Sequence, residues 1–225
     1  MRKVVVITGG TDGLGMETAK RLAANHLVVI LGKDSEKAKH IAETIGCAYV
    51  VADVRDAHSL THAAQEIRTR FLRVDRLVNN AGVWIQGRLL DNNIEDIENA
   101  LAVNTKGVIL STRAFLPLMN AGSLIVNVVS QAGITAKAER TVYNASKWAI
   151  TGFTKSLELE LAPLKIRVAG FYPGAFQTRL FEKAGNPRDM SKALKVEYVA
   201  AALCDIIQSP EQVLLSDTII RSVDY

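Results

Sequence analysis

Lys3-Val4-Val5-Val6-Ile7-Thr8, followed at once by Gly9-Gly10-Thr11-Asp12-Gly13-Leu14-Gly15, decides how the chain folds. The first run is short and β-branched and does not alternate. That pattern predicts a strand buried on both faces, as in a parallel sheet. The glycine turn leads into a helical stretch, Met16 to Ala24, and then into a second apolar run, Leu27 to Leu31. Strand, glycine turn, helix, strand is a βαβ unit.

The alternation continues outward from there. Asp34 stands as the N-cap of a helix that runs to Ile45. Further strands are expected at Ala48–Ala52, Arg76–Asn79, Ser123–Val129, Ile166–Phe171 and Asp217–Arg221. Helices are expected at Asp56–Phe71, Ile94–Leu118 as one long element, Val142–Leu161 and Val196–Ile207. Strands alternating with helices predict an α/β fold: a Rossmann-type doubly wound parallel sheet of about seven strands, flanked by helices in three layers. No repeat or interdomain linker breaks the pattern, so residues 1–225 read as one domain.

The 225 residues suffice for one sizeable core. Hydrophobic residues make up 48% and charged residues 22%, ordinary for a globular protein. The net charge is +4, but the 27 basic residues are scattered, so no nucleic-acid footprint is read. Cys47 and Cys204 lack metal-like spacing and read as buried thiols. His58 and His62, four apart in a polar stretch, read as solvated, and no metal site is expected. No apolar run reaches the ~18–20 residues of a membrane span. The strand-like start leaves no room for a signal peptide, and cytoplasm is the expected compartment.

The glycine turn is the first candidate site. Gly9, Gly13 and Gly15 are spaced Gly-x-x-x-Gly-x-Gly between the first strand and first helix. Glycines there permit a tight turn, let backbone approach a pyrophosphate, and leave helix N–H groups free to bind it. The second strand ends Ile30-Leu31-Gly32-Lys33-Asp34. An acid at the end of that strand would bind a ribose diol and favour NAD. Gly32 stands there instead, and Lys33 can pair with a 2′-phosphate, which points to NADP. Against this, Asp34 is within reach of the ribose, although a helix cap is its plainer role, and Asp12 would repel a phosphate.

The second candidate site is Ser130 to Lys147. Tyr143 and Lys147 are four apart, so on a helix they share a face. An ammonium near a phenol favours the phenolate and lowers the phenol's pKa from its usual value near 10. The pair is therefore a plausible general acid/base, although Tyr-x-x-x-Lys alone is common by chance.

Several motifs in order make the chain resemble the short-chain dehydrogenase/reductase family in its compact single-domain form. Thr8 to Gly15 matches the family's Thr-Gly-x-x-x-Gly-x-Gly turn, with cofactor contacts implied from Gly9, Thr11, Asp12, Gly13, Leu14 and Gly15. Ala52-Asp53-Val54 resembles the adenine-binding segment. Asn79-Asn80-Ala81-Gly82 matches the motif that supports the sheet and borders the adenosine ribose. Asn104, in Val103-Asn104-Thr105-Lys106-Gly107, matches the helix asparagine of the active site. Ser130 precedes Tyr143 by 13 residues, and Lys147 completes Tyr-x-x-x-Lys. Pro173, Gly174 and Thr178 resemble the clamp on the nicotinamide carboxamide. The match thins after Thr178. The loop Leu180–Ser191 is short, and the end Ile219 to Tyr225 lacks the family's valine–aspartate–glycine–glycine sequence.

The resemblance implies an oxidoreductase that moves a hydride between NADP(H) and a carbonyl or secondary alcohol. Tyr143 would exchange the proton and Ser130 hydrogen-bond the substrate oxygen. Lys147 would lower the tyrosine pKa and bind the nicotinamide ribose. Asn104 would hold a water that links Lys147 to solvent. An NAD-preferring member of the family, or a cofactor-sensing relative without catalysis, are the alternatives. The substrate, a small-molecule carbonyl or alcohol, is expected to meet the loop at 173–192, with Phe176, Leu180 and Phe181 as pocket candidates. Trp84 stands between pocket lining and core, and Trp148 between packing and a subunit contact. A homodimer or homotetramer is expected through the helices around Ile94–Leu118 and Val142–Leu161.

Overall fold

The computed structural model describes residues 2–223, which leaves Met1, Asp224 and Tyr225 outside it. Seven strands form one parallel sheet: β1 Val4–Thr8, β2 Leu27–Gly32, β3 Ala48–Val51, β4 Arg76–Asn79, β5 Leu124–Val128, β6 Arg167–Pro173 and β7 Asp217–Ile220. Their order is β3-β2-β1-β4-β5-β6-β7. β1 pairs in parallel with β2, Val5 opposite Val28, and on its other side with β4, Val5 opposite Arg76. The chain winds outward from β1 to β3, then returns to β4 on β1's far side. The gap between the ends of β1 and β4 is therefore a topological switch point, where such folds bind ligands.

All five residues of β1 are buried. The alternation of strand side chains divides them between two layers. Val5 and Ile7 meet α1 (Gly13–Leu22), α2 (Ser35–Ile45) and α8 (Val196–Gln208) in one core. Val6 meets α3 (Ala57–Phe71), α5 (Gly107–Phe115) and α6 (Thr141–Leu161) in the other. Because both faces of β1 are covered, it is an unbroken apolar run up to Thr8.

Two polar devices tie the sheet to the helices. Asn79 Nδ2 donates to Thr112 Oγ1 (3.0 Å) and Asn127 Oδ1 (2.8 Å), and Asn127 Nδ2 donates to Thr154 Oγ1 (2.9 Å). This buried chain crosses from α5 over β4 and β5 to α6. Arg76, 1% exposed, donates to the carbonyls of Ile207 (2.9 Å), Asp75 (2.8 Å) and Gly122 (3.1 Å). Burial pushes its pKa down to about 10.

The helix expected over Ile94–Leu118 is in fact two. α4 (Ile94–Leu101) and α5 are joined by a π-helical turn at Ala102–Lys106, where the Gly107 N–H reaches back to the Ala102 carbonyl. A 3₁₀ turn with Pro117 ends the run at Leu116–Leu118. The π turn inserts one extra residue, so the face after it is rotated relative to α4. Asn104 sits inside this turn. One further element was not expected, the short helix α7 (Leu180–Lys183) in the loop after β6.

Candidate active site

A single cleft of about 720 Å³ runs along the carboxyl ends of the strands. Its lining includes nearly every residue singled out in the sequence: the turn residues Gly9 and Thr11 to Leu14, the β2 end at Gly32–Asp34, Asp53–Val54, Asn80–Gly82, Ser130, Tyr143, Lys147, Pro173–Gly174 and Thr178. Gly10 and Gly15 lie beneath it, in the turn itself.

The floor is the glycine turn. Gly9 has φ +62°, and a Cβ on it would stand 2.8 Å from Ala81 Cα. A Cβ on Gly15 would stand 2.4 Å from the Gly9 carbonyl. Neither position has room for a side chain, so the turn passes directly under the exit of β4. Thr8 Oγ1 accepts from the N–H groups of Asn80 (3.0 Å) and Ala81 (3.1 Å), while Asn80 Nδ2 donates to the carbonyls of Thr8 (3.0 Å) and Gly9 (3.1 Å). The Asn79–Asn80 pair thus locks the switch point and the sheet together. Asp12 caps α1 through the Gly13 N–H (2.8 Å). Its carboxylate also pairs with Lys37 (2.8 Å) and with Lys183 from α7. Burial alone would raise its pKa. Hydrogen bonds and charge from the two lysines overcome this and hold it well below the usual carboxylate range.

At one end of the cleft, Gly32 leaves space that Thr11 fills: a Cβ there would meet Thr11 Cγ2 at 2.5 Å. Lys33 is exposed at the cleft wall. The Asp34 carboxylate accepts from the Lys37 N–H (3.0 Å) and so acts as the cap of α2. Asp53 is gripped by Arg55 in a fork, with Nε to Oδ1 at 3.0 Å and Nη2 to Oδ2 at 2.6 Å. The Arg55 hydrogen bond holds the Asp53 pKa down. Lys37 and Arg55 were not singled out in the sequence. An i+3 neighbour of the capping Asp34 and an i+2 neighbour of Asp53 were the available signals.

At the other end, Ser130 leaves β5 with φ +126°, a conformation that side-chain-bearing residues rarely adopt and that stores about 1–3 kcal/mol of strain. Its Oγ accepts from the Ala132 N–H (3.2 Å), which leaves its O–H to donate. Tyr143, in the first turn of α6, is 5% exposed, and its ring lies 4.4 Å from that of Trp84. Burial raises its pKa to about 12, against a lowering hydrogen bond from Ser130 and the lowering charge of Arg140. The sequence sets Lys147 beside the phenol as its cation. In the structure the Lys147 Nζ donates to the Val128 carbonyl (3.3 Å) and lies 5.9 Å from the Tyr143 ring centroid. Burial pushes its own pKa down to about 8. The charge of Arg140, at the N-cap position of α6, also lowers the Tyr143 pKa.

Asn104 is fully buried beside Lys147, and a Cβ on Gly82 would stand 3.4 Å from Asn104 Oδ1 and 3.8 Å from Lys147 Nζ. Its amide, however, is engaged by protein. Oδ1 accepts from the Val83 N–H (2.8 Å), and Nδ2 donates to the Val83 carbonyl (3.0 Å) and to Ser146 Oγ (3.2 Å). Both amide protons are spent on protein acceptors, while Oδ1 keeps a second lone pair open to a water. The side chain clamps the loop after β4 to α6.

The loop after β6 closes this end. Thr178 Oγ1 comes within 3.1 Å of where a Gly13 Cβ would stand. Phe176, Leu180 and Phe181 all line the cleft. Phe181 packs edge-on against Trp84 at 4.8 Å. Trp84, 8% exposed, is therefore both lining and core. Trp148 is 49% exposed on the outer side of α6.

A cleft at the switch point of a doubly wound parallel sheet, floored by a glycine turn at a helix N-terminus, is that of a Rossmann-type protein. The profile of the short chain dehydrogenase family matches residues 3–189. An oxidoreductase of Staphylococcus epidermidis is 30% identical over 226 residues, which cover 98% of this chain and 97% of that one. Trans-4-hydroxycyclohexanecarboxylate dehydrogenase of Sinomonas cyclohexanicum is 33% identical, over 78% of this chain and 73% of its own. The solved alcohol dehydrogenase of Thermococcus sibiricus, complexed with 5-hydroxy-NADP, superposes with a TM-score of 0.91 at 25% identity, over 100% of this chain and 98% of that one. The chain belongs to the short chain dehydrogenase family, whose members are NAD(P)-dependent oxidoreductases of CH–OH groups.

Proposed function

We propose that this protein interconverts a carbonyl and a secondary alcohol with NADP(H) as hydride partner and Tyr143 as general acid/base. The observation that carries the reading is the meeting of two hydroxyls and an amine, Ser130, Tyr143 and Lys147, at one end of a cleft whose other end is lined by cations.

The residues fit a dinucleotide. The missing side chains of Gly9 and Gly15 let the turn pass close under the cleft, and α1 presents its N-terminus there, suited to a pyrophosphate. Asp53 and Val54 would border the adenine, Asn80 to Gly82 the adenosine ribose, and Pro173, Gly174 and Thr178 the nicotinamide end. Once bound, the cofactor supplies or accepts the hydride. For reduction, Tyr143 gives its proton to the substrate oxygen while the Ser130 O–H donates to the same oxygen as charge develops on it. Arg140 favours the phenolate left behind. Lys147, with its pKa near 8, exchanges a proton with solvent close to neutrality and resupplies the phenol.

Three features support NADP over NAD. Gly32 replaces the ribose-binding acid, Asp34 is committed to its helix cap, and Asp12, which would repel a phosphate, is neutralised by Lys37 and Lys183. Lys33 remains at the wall for the 2′-phosphate. The two cysteines are free thiols, in keeping with work in the reducing cytoplasm.

The test is a reductase assay on a mixed carbonyl panel with each cofactor. Wild-type protein should turn over faster with NADPH, and Lys33→Ala should narrow that margin. Tyr143→Phe should lose turnover by roughly 10²-fold or more while still binding NADPH. Undiminished turnover in Tyr143→Phe removes the mechanism, and faster turnover with NADH removes the cofactor assignment.

A further inference from the structure

Two guanidinium groups converge on Trp84, beside the Tyr143 ring. The Arg188 guanidinium carbon lies 4.8 Å from the Trp84 ring centroid and 4.6 Å from that of Phe181. The Arg140 guanidinium carbon lies 5.2 Å from Trp84. Trp84 is itself 4.4 Å from Tyr143, so both cations border the reacting end of the cleft.

Stacking uses the faces of a guanidinium and leaves its edges, which carry five N–H donors in a flat fork. The Arg188 side chain has one hydrogen bond, to the neutral Gln86 Oε1, and no carboxylate within ion-pairing distance among the described residues. Its neighbour Asp189 turns away to the Ser191 N–H (2.9 Å). The acids that line the cleft are all committed elsewhere: Asp12 to Lys37 and Lys183, Asp34 to the cap of α2, Asp53 to Arg55, and Asp96 to Asn93. Among the described residues, no acid lines the catalytic end beside Lys137, Lys147 and Arg188. A second observation points the same way. The Trp84 indole N–H is buried and has no acceptor among the described residues. Buried donors normally have a partner.

We propose that this corner binds the carboxylate of the substrate, so that the protein acts on an oxoacid or hydroxyacid whose acid group is held by Arg188 and Arg140 at the Trp84 ring. The proposal rests on the carbonyl–alcohol reading above for the identity of the other end of the substrate. The walls next to the guanidinium groups are apolar, formed by Leu180, Phe181 and Ala184. They suit the single, weakly hydrated charge of a carboxylate better than a phosphate dianion. Arg188 also sits on the loop that covers Tyr143, so acid binding would hold that loop down over the reacting oxygen.

The test reads binding, so that it stands apart from turnover. In a Trp148→Phe background Trp84 is the sole tryptophan, and its fluorescence reports ligands added to the NADP⁺-loaded protein. Aliphatic oxoacids of four to eight carbons are titrated beside their own carboxamides. The best acid should bind about tenfold to a hundredfold more tightly than its amide, the value of a charge-assisted fork. Arg188→Gln should abolish that preference and leave amide binding unchanged, and Arg140→Gln should reduce it. Arg188→Lys should keep only part of it, because a point charge replaces the flat fork. Equal binding of acids and amides across the series overturns the proposal. So does an Arg188→Gln protein that loses both equally, since that is loop closure alone. Tighter binding of the matching phosphate esters overturns the choice of carboxylate. If the acid preference is present but no oxoacid is reduced, the catalytic reading fails and the anion site stands.

Discussion

At the scale of single residues, the two ionisable groups at the reaction centre are both displaced from their ordinary behaviour by burial, in opposite directions. Tyr143 is pushed up to about 12 and Lys147 down to about 8. The consequence for Lys147 is measurable as stability. Its ordinary value is 10.5. Below pH 8 it is protonated in both folded and unfolded chains, and the fold carries the full cost of a buried ammonium, about 3 kcal/mol on that shift. Between pH 8 and 10.5 the unfolded chain binds a proton that the folded one has released, so stability rises with pH across that window. Lys147→Met should therefore be more stable than wild type at pH 7, with the margin closing as the pH approaches 10.5. Urea unfolding of both proteins at pH 7, 8, 9 and 10 reads this directly, and a margin that stays constant would show that Lys147 is an ordinary lysine. The sequence placed Tyr143 and Lys147 together because i, i+4 spacing on a helix is fixed geometry. It did not reveal where the lysine amine ends, on the Val128 carbonyl, because that depends on β5 lying beneath α6. Arg140 was missed for a similar reason: it lies just before the helix, where no periodicity applies.

At the scale of elements, the strands were legible and the helix interruptions were not. β1 and β2 are covered on both faces, so burial wrote itself into continuous apolar runs. The π turn at Ala102–Lys106 leaves no such mark, since it contains no Gly or Pro and only the hydrogen-bond register changes. That turn is nonetheless what delivers Asn104 to Val83 and Ser146. α7 has four residues, too few to show a period, yet it carries Lys183 across the cleft mouth to Asp12 on the glycine turn. The contact is partly exposed, 48% and 27% for the two side chains, so it is worth no more than about 1 kcal/mol. It should be visible as local protection of the loop. Lys183→Ala should speed amide hydrogen exchange across residues 180–185 by up to about fivefold without changing exchange in α6. Asp12→Asn should do the same while keeping α1 intact, because asparagine is as good an N-cap as aspartate. The double variant should add nothing to the larger single effect, and independent, additive effects would show that Asp12 and Lys183 do not act as a pair. The tether should also be insensitive to pH above about 4. A carboxylate held below its usual 3.8 contributes its stabilisation above that value and loses it only as pH falls through the lower, folded one.

At the scale of the whole molecule, the doubly wound parallel sheet and its carboxyl-end cleft followed from the alternation of strands and helices, because right-handed crossovers leave few ways to arrange them. What the alternation leaves open is the outer surface of the helical layer formed by α4, α5 and α6. That layer displays Ile94 at 68% exposure, Leu101 at 40%, Ile109 at 39%, Trp148 at 49% and Leu159 at 78%. Single exposed apolar residues are normal, but several on adjoining helices, with a tryptophan among them, fit the core of an interface. The inner faces of α5 and α6 are fully used against the sheet, so these outer side chains can be buried only by another molecule. A second copy of this chain, with the same two helices packed antiparallel about a two-fold axis, would cover them by its own identical patch. Light scattering at micromolar concentration should then give a mass of at least twice the 24.5 kDa chain. Ile109→Asp combined with Trp148→Asp should shift it toward the single-chain mass, because each charge would face an apolar partner across the axis. Neither residue lines the cleft, so NADPH binding per chain should survive in the dissociated form. The edge strand β7 offers a control. Ile219 is 56% exposed there, on the opposite side of the molecule's strand order from β3. Ile219→Lys should leave a helix-mediated dimer whole and could only dissolve an assembly that uses the sheet edge. A wild-type protein that runs as a single chain at these concentrations would remove the helical face as an interface, and dissociation by Ile219→Lys alone would move it to β7.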